Sequence, residues 1–267
     1  MINTVIMLII LLTCLFVTIK CENDEPLILT MLIKNNKSDV ARNLSTVIIP
    51  GFEDIDSHSG FITVDESSNS NLFFWFLKSE KQNSPVSVWL QGGPGGSSLI
   101  GLFYENGPLS AKNDSSLERR QFSWTKSMHM LYIDSPVGTG FSYTNNETSY
   151  TKTRMQYTEH LFTFMQQFFK LFPELRNNGL YLMGESYGCK PVASLAYKIL
   201  TDKEESVNLK GLAIGGGFCD PLIQSKYSKL LKEVPQISEI QAKKLKKKET
   251  KMDHLVNLGE FRNATLV

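Results

Sequence analysis

LYLMGESYG, residues Leu180–Gly188, runs an apolar stretch into a glycine and seats a serine two positions later between two glycines. A β-type run that breaks into Gly-x-Ser-x-Gly and continues as a helix is the pattern of a nucleophile elbow. The sharp turn leaves little room for Cβ atoms beside the serine, so Gly184 and Gly188 flank Ser186. The following helix directs its free N–H groups and positive dipole end toward the reaction centre. The five-residue pattern also arises by chance, and it is the strand before it and the helix after it that make it specific.

Working outward, Phe61–Val64 and Leu72–Leu77 read as an antiparallel ribbon. Val86–Leu90, Met128–Ile133, Leu180–Met183 and Leu212–Ile214 are apolar runs without clean alternation, as expected of strands buried on both faces. Between Arg154 and Phe172, the residues Tyr157, Leu161, Phe164, Phe168 and Phe172 recur at helical spacing and predict one apolar helix face that stops at Pro173. Cys189–Leu200 predicts a second helix, with Pro191 in its first turn where a missing N–H costs little. Strands alternating with helices imply an α/β fold with a mostly parallel central sheet.

VWLQGGPGGSS, residues 88–98, follows another buried strand. In α/β-hydrolases a loop in this place supplies the second N–H donor for the oxyanion of a tetrahedral intermediate. A phosphate cradle is the competing reading, but the P-loop lysine is missing. A flexible turn is another; the density of glycine and proline favours a fixed backbone shape.

Composition is that of an ordinary globular protein: 267 residues, 42% hydrophobic, 21% charged, formal net charge +1. That balance gives no bias toward nucleic acid. Residues 1–20 begin with nineteen uncharged, mostly apolar positions and read as a signal peptide, with an uncleaved anchor as the competing reading. With the leader removed, no stable membrane association is expected. Asn-x-Ser/Thr acceptors at Asn36, Asn43, Asn113, Asn146 and Asn263 fit a glycosylated, secreted or lysosomal protein in the endomembrane lumen. Cys14 and Cys21 fall in or beside the leader, leaving Cys189 and Cys219 either as a bridge or as two small buried hydrophobes. Nine lysines fall within residues 226–251, and with apolar positions interspersed they read as a solvated helix face. No metal-ligand spacing occurs.

WLQGGPGGSS, YENGP (104–108), LYIDSPVGTGFSY (131–143), LYLMGESYG and LKGLAIGGGFCDP (209–221) together resemble the serine carboxypeptidases, in particular the vitellogenic-like and venom-type members. The resemblance runs collinearly from about Pro26 to Pro221. It implies an α/β-hydrolase fold, incomplete in this chain, with residues 21–221 as its N-terminal part and 222–267 as the start of a helical cap insertion. It also implies release of C-terminal residues from peptides or proteins by acyl-enzyme chemistry at Ser186, with no cofactor. By the same resemblance the N–H groups of Gly93 and Tyr187 form the oxyanion hole, and Gln91, Glu105 and Glu185 hold the substrate's terminal carboxylate. A carboxyl group can do so when a like charge nearby keeps it protonated. Cys189 and Pro191 stand where the family has glycine and tyrosine, and Gly215–Gly217 replaces its usual GNG or GDG.

A serine needs a histidine to take its proton and an acid to orient that histidine. The family places both well beyond the serine, and the chain is expected to stop before them. His254, beside Asp253, is the one histidine after Ser186, and it reads as part of a solvated helix. Asp220 reads as a turn former before Pro221. His58, His129 and His160 precede the serine and read as packing residues. The alternatives are an inactive short form that binds peptides and an acyltransferase or esterase on the same scaffold.

Overall fold

The computed structural model describes residues 25–81, 83–202 and 207–267. The leader 1–20, with Cys14, and the adjoining Cys21 lie outside the described residues. First come two helices too short for periodicity to reveal, α1 (Thr30–Lys34) and α2 (Ser38–Ser45). The ribbon follows as β1 (Ser57–Asp65) and β2 (Ser70–Leu77), paired antiparallel. β3 (Val86–Leu90) leads into the glycine-rich loop. A π-helical turn, Gly101–Glu105, and a small hairpin of β4 (Leu109–Ala111) and β5 (Leu117–Arg119) come next. β6 (His129–Ile133) precedes α3 (Arg154–Leu171), and β7 (Leu180–Glu185) precedes α4 (Cys189–Thr201). β8 (Leu209–Gly215) completes a six-stranded sheet of order β1-β2-β6-β3-β7-β8. β6, β3, β7 and β8 run parallel, and β2 joins β6 antiparallel.

The predicted elements are therefore present, and most extend a few residues beyond their apolar cores. The apolar face of α3 packs on the sheet, with Phe164 and Phe168 fully buried against Phe74 and Phe76 at centroid distances of 5.7 and 5.1 Å. Thr153 and Gln156 form a capping box at its start, and Phe172 ends it before Pro173. Val86, Val88 and Leu90 face this layer beside Val192 and Leu195 of α4. The opposite sheet face buries Trp89, Met130, Tyr132 and Met183 against Leu102. Burial on both faces is why these strands lack alternation.

Beyond β8 the chain is helical: α5 (Pro221–Gln224), α6 (Ser228–Glu233), α7 (Glu239–Asn257) and α8 (Phe261–Ala264). Asp220 caps α5 by accepting from the Leu222 N–H at 2.9 Å, the turn-forming role expected of it. The lysines of α7 include exposed Lys243 and Lys246, while its Glu249 is buried and accepts from the Ser228 N–H and hydroxyl at 2.7 and 2.8 Å. No helix among the described residues is long and apolar enough to cross a membrane.

Candidate active site

Parallel pairing of Leu90 with Gly184 and of Glu185 with Gly215 brings the ends of β3, β7 and β8 together at the carboxyl edge of the sheet. In open α/β sheets ligands bind in the crevice at this edge. Ser186 sits there, exposed, with φ +53°. A non-glycine residue in the left-handed region is strained, and the surroundings must hold it. On one side Gly188 is pressed so close to β3 that a Cβ on it would lie 2.2 Å from the Leu90 carbonyl oxygen. On the other, the Phe218 N–H donates to the Ser186 carbonyl oxygen at 3.1 Å. The strand–turn–helix context read from residues 180–188 is thus present in full.

The glycine-rich loop lies directly over this turn. A Cβ on Gly92 would stand 2.8 Å from Ser186 Cβ and 3.1 Å from the Tyr187 nitrogen, so Gly93, the next residue, belongs to the same corner. Asp134 holds the loop in place. Its Oδ1 accepts from the Ser97 hydroxyl at 2.7 Å and the Ser98 N–H at 2.8 Å, and its Oδ2 accepts from the Phe141 N–H at 2.9 Å. The Ser98 hydroxyl donates to the Ile133 carbonyl at 2.6 Å and accepts from the Gln91 N–H at 3.2 Å. Burial pushes Asp134 above the usual carboxylate range despite these bonds. Asp134 and Ser98 were not singled out from sequence; the signal available was a lone carboxylate after an apolar strand.

Gln91, Glu105 and Glu185 come together beside the serine. The Gln91 amide nitrogen donates to Glu185 Oε2 at 2.6 Å and to Glu105 Oε1 at 3.2 Å. Its oxygen accepts from the Trp89 indole N–H at 2.7 Å, which fixes the amide's orientation. Glu105 ends the π-helical turn. Burial first, and then the charge of Glu185, push its carboxyl above the usual range, against the opposing Gln91 hydrogen bond. Glu105 therefore keeps its proton to a higher pH than an ordinary carboxyl group. Next to the cluster a cleft of about 460 Å³ is lined by Gln91, Gly95, Val137, Tyr150, Tyr187 and Pro191.

The histidines lie elsewhere. His58 Nδ1 contacts the Ser45 hydroxyl at 3.0 Å, and His129 Nδ1 accepts from the Ser79 N–H at 3.0 Å. Burial lowers the His129 and His160 pKa values below the ordinary range. His254 is exposed near the end of α7. Among the described residues no histidine is hydrogen-bonded to Ser186, and no group of three or more His, Cys, Asp or Glu could hold a metal ion. Asn36, Asn43, Asn113, Asn146 and Asn263 are all exposed. Cys189 and Cys219 are free thiols; Cys189 is buried, but Cys219 is exposed, which corrects the reading of both as buried hydrophobes. Cys219 lies in a loop outside the packed layers.

A family model described as serine carboxypeptidase matches residues 50–264. Vitellogenic carboxypeptidase of Aedes aegypti is 46% identical over 80% of the chain and 46% of its own length. Venom serine carboxypeptidase of Apis mellifera is 46% identical over 77% of the chain and 45% of its own length. The crystal structure of Kex1(delta)p, a prohormone-processing carboxypeptidase from Saccharomyces cerevisiae, superposes with a TM-score of 0.68 at 30% identity, covering 81% of this chain and 51% of that one. The chain thus spans about half the length of the relatives it matches.

Proposed function

The chain belongs to the serine carboxypeptidase family, and on that premise we propose that Ser186 is the nucleophile for release of C-terminal residues from peptides or proteins. The serine attacks the scissile carbonyl, and the N–H groups of Gly93 and Tyr187 receive the developing oxyanion. Gln91, Glu105 and Glu185 hold the substrate's free carboxylate, with the proton retained on Glu105 serving as a donor. The leader-like residues 1–20 and the five exposed Asn-x-Ser/Thr acceptors support a secreted or lysosomal setting with glycosylation at those asparagines. Residues 222–267, helical throughout most of their length, are read as an insertion on the hydrolase core.

One observation carries this reading: a serine held at φ +53° stands beside a Gln91–Glu105–Glu185 cluster bonded at 2.6 and 3.2 Å. A hydrolase elbow alone serves any acyl transfer, whereas a carboxyl group that keeps its proton, as Glu105 does, matches a substrate ending in a carboxylate. The test is binding of an N-acyl amino acid and its C-terminal amide, followed calorimetrically across pH. The free acid should bind at least about tenfold more tightly than the amide, about 1.4 kcal/mol. Its advantage should fade as pH rises through the elevated pKa of Glu105, where the site gains negative charge. Equal binding of acid and amide at all pH values sinks the carboxypeptidase reading. Ser186→Ala should abolish labelling by a serine-directed phosphonate.

A further inference from the structure

Two thiols next to the nucleophile turn take no part in the chemistry above. Cys189 is the first residue of α4, three positions after Ser186, and is fully buried. Cys219 lies in the loop after β8 and is exposed. Gly217 fits between them: a Cβ on it would stand 2.9 Å from Cys189 Cβ and 3.4 Å from Cys219 Sγ. Both side chains therefore border the same glycine, and the Cys219 thiol acts on Cys189 as a neighbour. The loop is braced in this position by one side chain. Gln224 Oε1 accepts from the N–H groups of Cys219 and Asp220 at 2.7 and 2.8 Å, and its Nε2 donates to the Gly217 carbonyl at 2.6 Å.

We propose that Cys189 and Cys219 form a redox-active dithiol that closes to an intramolecular disulfide by exchange with an external disulfide, pinning the 216–220 loop to the nucleophile helix. The asymmetry of exposure orders the steps. The accessible Cys219 thiolate attacks an incoming disulfide RSSR, forming Cys219–S–S–R and releasing one RS⁻. Cys189 then passes its proton to a thiolate or solvent base and attacks the Cys219 sulfur, so that the second RS⁻ leaves and takes up a proton. Two thiols are oxidised to one disulfide, and RSSR is reduced to two RSH. Burial, followed by the neighbouring Cys219 thiol, pushes Cys189 up to about 11, which keeps it a poor first attacker and leaves it the resolving partner. The position of both side chains against Gly217 supplies the proximity that the second step needs.

Closure would act on the site through one short path. The Phe218 N–H holds the Ser186 carbonyl, and Lys190, next to Cys189, lies over the rings of both Tyr187 and Phe218 at 4.8 and 5.9 Å. A bridge across Gly217 closes a covalent ring that contains Lys190 and Phe218, the two residues that contact Tyr187 and Ser186. The dithiol chemistry stands whether or not Ser186 turns over peptide, so its failure leaves the peptidase reading intact.

The experiment incubates the purified full chain in oxidised and reduced glutathione mixtures, then blocks free thiols with a maleimide and maps peptides by mass spectrometry. The expected result is a Cys189–Cys219 linked peptide lighter by two hydrogens than its separate parts, reversed by reduced glutathione, with Cys219 no longer alkylated. In Cys219→Ser, an exposed change that leaves packing alone, the link should vanish and Cys189 should remain a thiol. A stable Cys219–glutathione adduct with Cys189 still free, a link from either residue to Cys14 or Cys21, or a disulfide between two chains through Cys219 would each overturn the proposal.

Discussion

Leu182 in β7 and Leu212 in β8 are direct register partners in the same sheet, yet the first is fully buried and the second is 46% exposed. β7 has a strand on either side and packed layers on both faces. β8 borders only β7 among the described residues, and Ile214 within it and Phe218 beyond it are each 41% exposed. The strained serine stands between these regimes. From the β3 side it is held by close-packed backbone; from the β8 side it is held by one hydrogen bond from a loop that Gln224 braces. The left-handed backbone at Ser186 therefore depends mainly on the centre of the sheet, and the β8 loop is the side on which the site can yield.

Substitutions at the two sides test that division. Gly188→Ala should have the largest effect, because its new Cβ meets backbone, the Leu90 carbonyl oxygen at 2.2 Å, which cannot rotate away. We expect a loss of roughly 4 kcal/mol in urea unfolding, with little folded protein at 37 °C. Gly215→Ala is its counterpart on β8, where the nearest atom is Glu185 Cγ at 4.0 Å, and should cost under about 1 kcal/mol. Equal losses would remove the distinction between centre and edge. Next in size, Leu182→Ala should cost about 3 kcal/mol through its cavity, and Leu212→Ala less than about 1 kcal/mol, by the same measurement.

The same contrast sets what was legible in the sequence. The centre was: continuous apolar runs marked β3, β6 and β7, and Phe164, Phe168 and Phe172 marked the face of α3. Gln91, Glu105 and Glu185 could be placed together only through family resemblance, since nothing local tells a π-helical turn at 101–105 to end beside two distant strand ends. Asp134 escaped because a buried carboxylate is identified by its partners, and Ser97, Ser98 and Phe141 reach it from two other segments. Whether the two cysteines meet was equally closed, because it depends on Gly217 and on the Gln224 brace. Short helices α1 and α2 owe their existence to docking on β1 and α3, which carries no period.

Asp134 extends the comparison to the loop above the serine. It accepts three hydrogen bonds while 1% exposed, so Asp134→Asn puts an NH₂ group against donors on one side. We expect a loss of about 2 kcal/mol, read by thermal unfolding. Phosphonate labelling of Ser186 should fall as well, because the Gly92–Gly93 backbone is set by the same carboxylate. Unchanged labelling in a folded variant would show that the loop keeps its position without Asp134.

The other rim of the sheet gives the smallest effect and the sharpest control. β1 is also an edge strand, but it is covered: Phe61 bridges to Ile28, and His58 bridges to Thr46. His58 is buried there, with Asp56 Oδ1 3.3 Å from its Nε2 and Lys78 3.0 Å from the same carboxylate. The close approach of His58, and then that of Lys78, outweighs the desolvation and holds Asp56 at about 2, below its ordinary 3.8. A depressed carboxylate stabilises the fold above its unfolded pKa and loses that contribution as pH falls through the folded value. The window here therefore runs from about pH 4 down to about pH 2. Because the Asp56 side chain is 56% exposed, solvent screening limits the contribution to under about 1 kcal/mol. Asp56→Asn should flatten this part of the pH–stability curve, measured by urea unfolding, and leave the curve above pH 5 nearly parallel to that of the parent. An unchanged slope between pH 4 and pH 2 would mean that the covered rim is held by its bridges and apolar contacts alone, which is the condition that β8 lacks.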